Sequence, residues 1–159
     1  RSFHVTGVQT CALPIYPRTA ALIFIADLAL RTSIRQDISS AFAGLHNGEW
    51  KSATVLAGTA IEALLLWSIQ TAQAESAGLP VGAPGKGPEH WHLSEYIKVA
   101  HQMNLIKEPT RRQCELAQEF RNLIHPGRAQ RTASACTRAT ALAALAGLDL
   151  VVQDLAPAT

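Results

Sequence analysis

Aromatic residues make up only 6% of this chain and charged residues 16%, and three cysteines are spread across 159 positions. Each scarcity excludes something. A chain poor in aromatics but rich in Ala and Leu favours helices over sheet. Cys11, Cys114 and Cys136 stand at no metal-ligand or disulfide-framework spacing, which points to a reduced, cytoplasmic setting. A net charge of +2 is too small for a nucleic-acid coat. The apolar run AALIFIADLAL, from Ala20 to Leu30, is shorter than the roughly 20 residues a bilayer crossing needs and contains Asp27. No membrane partner is expected, and the length fits one domain with one core.

What is present is helical periodicity. The run Val5–Ile15, VTGVQTCALPI, resembles the conceptual translation of a DNA sequencing adapter. Residues 1–16 are therefore expected to be a non-native leader outside the fold, and residues 17–156 a single helical domain. From Ala20 a first helix is expected to run to Leu45, with Ile34, Ile38, Ala41 and Phe42 on its inner side and a stop at His46, Asn47 and Gly48. The segment Glu49–Ala74 is apolar on nearly every face and predicts the central helix. Residues 75–89 hold seven Gly and Pro residues and predict an exposed loop. Its GAPGKG string lacks phosphate-loop spacing and a preceding strand. Further helices are expected over Leu93–Met103, from Pro109 to the His125 region, and over Ser134–Leu155. The fold class is all-α, an up-and-down bundle of four to five helices.

Two places in this frame carry chemistry. Glu62 is a lone carboxylate on the apolar helix and needs a cation, a donor or a proton. The stretch Phe120–Arg128, FRNLIHPGR, sets a permanent cation beside the one side chain that titrates near neutrality. On a continuous helix Arg121 and His125 share a face, with His125 projecting where Pro126 and Gly127 end the helix. Between Lys107 and Arg138 seven basic residues face three acidic ones, so an anionic partner is expected there, with Arg128 and Arg131 as phosphate-binding cations. His90, His92 and His101 lie on a loop entering a helix, a geometry that argues against a metal site. No metal and no cofactor are expected.

The pairing of LAGTAIEALLL (Leu56–Leu66) with EFRNLIHPGR (Glu119–Arg128) resembles the HEPN superfamily, the higher eukaryote and prokaryote nucleotide-binding helical domains. The resemblance implies a HEPN-like bundle of four or five helices and frequent homodimerisation through the face bearing the Arg-His motif. It also implies, in many members, a metal-independent endoribonuclease of toxin or defence systems, with RNA as substrate and a cognate antitoxin or other protein as partner. Carried over, Arg121 steadies the phosphate, Asn122 orients it or the histidine, and His125 is the acid or base that drives attack by the RNA 2'-hydroxyl. The family usually encloses about four to six residues between Arg and His where this chain encloses three, and a one-residue shift turns a side chain by about 100°. The alternative is a non-catalytic dimerisation or adaptor module in which Arg121, Asn122 and Glu62 form a structural polar lock.

Overall fold

Asp27 decides where the first helix starts. In the computed structural model, which describes residues 21–75 and 78–157, Leu22–Ala26 lie outside any helix and α1 spans Leu28–His46. The Asp27 carboxylate accepts the Leu30 amide at 3.0 Å, so the acid expected inside the helix is its cap. The expected start near Ala20 is thus corrected. Leu22 and Ile25 are buried on the way in and serve the core without a helix. At the other end Gly48 takes a left-handed φ of 79°, which only the Asn-Gly stop accommodates cheaply.

The second helix, α2 (Trp50–Ala74), packs against all four of the other long helices: α1, α3 (Leu93–Gln102), α4 (Glu108–Asn122) and α6 (Arg138–Leu155). It is long and apolar enough by composition to cross a membrane, and over half of its most apolar window, 56%, is buried inside the protein. Ala57, Ala60, Ile61, Leu64, Leu65 and Ile69 form its buried ridge, and burying a large aliphatic side chain contributes about 1.5–3 kcal/mol.

Before α3, Val81 is fully exposed and a short 3-10 turn covers Pro88–His90. Two side chains pin this entry: the Trp91 indole donates to the Lys86 carbonyl at 2.8 Å, and the Tyr96 hydroxyl to that of Pro88 at 2.5 Å. The Glu95 carboxylate accepts the His92 amide at 2.6 Å and so caps α3. Helices α4 and α6 are riveted at one end. The Asp154 side chain, 7% exposed, accepts the Lys107 amide at 2.8 Å and the Thr110 hydroxyl at 2.6 Å.

The described residues form an all-α bundle of six helices and no strand. The additional helix is α5 (Pro126–Thr132), which has no buried residue. It displaces the start expected for the last helix from Ser134 to Arg138, behind a Thr137 cap. The expected leader, residues 1–16, lies outside the described residues.

Candidate functional site

The site begins with how α4 ends. Beyond Asn122 the amides of Leu123, Ile124 and His125 each bond three residues back, at 3.0, 3.2 and 3.3 Å, a tightened 3-10 turn. Pro126 holds His125 in extended backbone, φ −81° and ψ 116°, because its ring disfavours helical geometry in the residue before it. The His125 carbonyl then accepts the Arg128 and Ala129 amides at 2.9 and 3.0 Å and starts α5. His125 therefore caps a new helix and does not share a helical face with Arg121, which corrects the expectation from their spacing. Gly127 sits inside α5, and the left-handed residue that ends that helix is Ala133, with φ 49°.

Arg121 turns the other way, onto α2. Gly58 supplies the space: a Cβ there would stand 2.8 Å from Arg121 Cδ. One turn further along α2, Glu62 Oε2 accepts from Arg121 Nη1 at 2.5 Å. The two side chains are 29% and 35% exposed, so Glu62 is not the water-starved carboxylate that its apolar helix implies. It lies on the rim of an open hollow of about 410 Å³. Gln118, Arg121 and Asn122 of α4 share that hollow with Trp91, His92, Leu93 and Ser94 at the entry to α3. Asn122 lines the hollow and makes no hydrogen bond to Glu62 among the described residues.

Arg128 opens elsewhere. A second hollow of about 450 Å³ lies on the opposite side of the α4 terminus, where Glu119, Phe120 and Leu123 meet Arg128, Ser134 and Thr137. Successive residues on a helix point about 100° apart, so Phe120 and Arg121 serve different hollows. His125 and Arg131 are exposed and line neither. The basic excess also shrinks on inspection. Lys107 is paired with Asp154, Arg111 and Arg112 with Glu108, and Arg121 with Glu62. Arg128, Arg131 and Arg138 are exposed and carry no ion pair among the described residues.

Of the expected site residues, the structure brings together Glu62, Arg121 and Asn122, and leaves His125, Arg128 and Arg131 outside their hollow. It adds His92, Ser94 and Gln118, which sequence reasoning did not assign to the site. No local signal marks them, because His92 and Arg121 reach one hollow only through the packing of α3 against α2 and α4. Two other histidines each face one carboxylate: His90 Nε2 lies 3.7 Å from Glu89 and His101 Nε2 3.3 Å from Glu108. No protein-family model, curated protein or solved structure matches the chain.

Proposed function

We propose that this chain is a HEPN-like helical module acting through assembly, a homodimerising or adaptor domain in which Arg121 and Glu62 are a structural tie between α4 and α2. The observation that carries the reading is the seating of Arg121. Its methylenes fill the space left by Gly58 and its Nη1 is held by Glu62, so both stem and head group are engaged on α2. A cation meant for a phosphate would have to share its head group with a carboxylate, which opposes an approaching anion.

A second reading, the metal-independent endoribonuclease, is favoured by one observation. His125 is exposed at the tip of the motif, followed at once by the exposed cations Arg128 and Arg131. In that reading His125 takes the proton of the RNA 2'-hydroxyl as its oxygen bonds to phosphorus and the P–O5' bond breaks, the 5'-oxygen leaves as a hydroxyl with a proton from water, and Arg121 and Asn122 hold the phosphate.

One assay separates the two. Single-stranded RNA incubated with the purified chain in EDTA stays intact under the assembly reading, sedimentation reports a dimer, and Arg121→Ala lowers the melting temperature. Cleavage leaving cyclic phosphate ends, abolished by His125→Ala with an unchanged melting curve, overturns assembly in favour of the nuclease.

A further inference from the structure

Between Glu119 and Asp149 the chain carries no acidic residue and four arginines. Arg121 is tied to Glu62, which leaves Arg128, Arg131 and Arg138 as exposed cations without an ion pair among the described residues. In sequence they flank the connection from α5 to α6, where Ser134, Ala135, Cys136 and Thr137 lie outside any helix and only Cys136 is half-buried. Four hydroxyl side chains line the hollow of about 450 Å³ at this end: Thr132, Ser134, Thr137 and Thr140. Three of them serve helices. Thr132 donates to the Arg128 carbonyl inside α5 at 3.0 Å, and the Thr137 and Thr140 hydroxyls cap α6 by accepting each other's amides at 3.3 and 2.8 Å. Ser134 is the exception. Its hydroxyl donates to the Thr132 carbonyl at 3.0 Å, a bond in an exposed place that water replaces at little cost.

We propose that Ser134 is a phosphorylation site, taking a phosphoryl group from a nucleoside triphosphate through an arginine-directed protein kinase. Kinases select substrates by charge pattern as well as by access, and the string RTAS sets Arg131 three residues ahead of Ser134 with no acid nearby to oppose an acidic peptide groove. Seating both residues opens the last turn of α5. That opening costs little, because α5 buries no residue. In the transfer the Ser134 oxygen bonds to the γ-phosphorus as the bond from that phosphorus to the β,γ-bridging oxygen breaks. The nucleoside diphosphate leaves, and the hydroxyl proton passes to a base of the kinase. The product carries about −1.5 to −2 charges where the chain has only cations. Arg128 lines the same hollow as Ser134 and is the guanidinium placed to bond the phosphate, tying α5 to the approach to α6. Arg131 thus serves recognition and Arg128 serves the product, and neither role rests on the assembly or the nuclease reading.

The test uses the full folded chain, the catalytic subunit of an arginine-directed serine kinase, and ATP. Peptide mass spectrometry should place a phosphate on Ser134 and none on Thr132, Thr137 or Thr140, and Ser134→Ala should abolish labelling. Arg131→Ala should slow it by about tenfold or more, with circular dichroism verifying that the variants are folded. Phosphorus NMR then follows the titration of the attached phosphate. Its second pKa, about 6 for a free phosphoserine, should fall in the parent and return toward that value in Arg128→Ala, because a neighbouring cation favours the doubly charged form. The proposal is overturned if the folded parent stays unlabelled, if Ser134→Ala or folded Arg131→Ala is labelled at the parent's rate, or if the phosphate titrates alike with and without Arg128.

Discussion

A single missing side chain shapes the neighbourhood of Arg121. Gly58 lies mid-helix, where glycine costs roughly 0.5–1 kcal/mol relative to alanine, and the space it leaves is filled by the arginine stem. Gly58→Leu should destabilise the chain by about 1–3 kcal/mol through overpacking, as read from urea midpoints. Combined with Arg121→Ala, the loss should be smaller than the sum of the two single losses, since the second change vacates the space the first one needs. Additive effects would show that Arg121 does not occupy the Gly58 niche. The Arg121–Glu62 contact was expected from the sequence for a lone acid on an apolar helix, although the 35% exposure of Glu62 shows that water alone could have served it. The position of His125 was not expected. Proline suits both the end of one helix and the first turn of the next, so the His-Pro pair reads as a stop and acts as a start.

At the scale of one helix, the first turn of α4 concentrates the charge. Glu108 accepts from Arg111 and Arg112, and these bonds hold its carboxyl at about 2, down from the usual 4.5. Arg111 also bridges to Glu115. Asp154 is shifted the same way: burial opposes its charge, but the Lys107 amide, the Thr110 hydroxyl and the Lys107 ammonium outweigh it. A carboxyl with a depressed folded pKa stabilises above its unfolded value, and that contribution fades as pH falls toward the folded one. Stability should therefore decline with acidification from about 4.5 toward about 2, and Glu108→Gln should flatten the slope in a series of urea midpoints across that window. An unchanged slope would mean that the two arginines do not hold Glu108.

For the molecule as a whole, Cys114 reports the integrity of the bundle. It is fully buried on α4, and burial first, with Asp154 and Glu115 adding to it, pushes its thiol up to about 12. A thiol reagent near neutral pH should modify Cys114 only at the rate of global unfolding, with peptide mass spectrometry separating it from Cys11 and Cys136. Fast labelling of Cys114 in folded protein would contradict this packing. The all-α class was legible because Ala and Leu at helical spacing leave no alternation for a sheet, and α2 was legible because it is apolar all round. The hollow beside Arg121 was not, since three separate segments build it and none carries its pattern alone. The same covering of α2 on several sides constrains how this chain can vary in length. One residue gained or lost within Trp50–Ala74 would swing everything beyond it by about 100° and part every neighbour at once. An inserted residue should be borne best next to Val81, whose side chain is fully exposed.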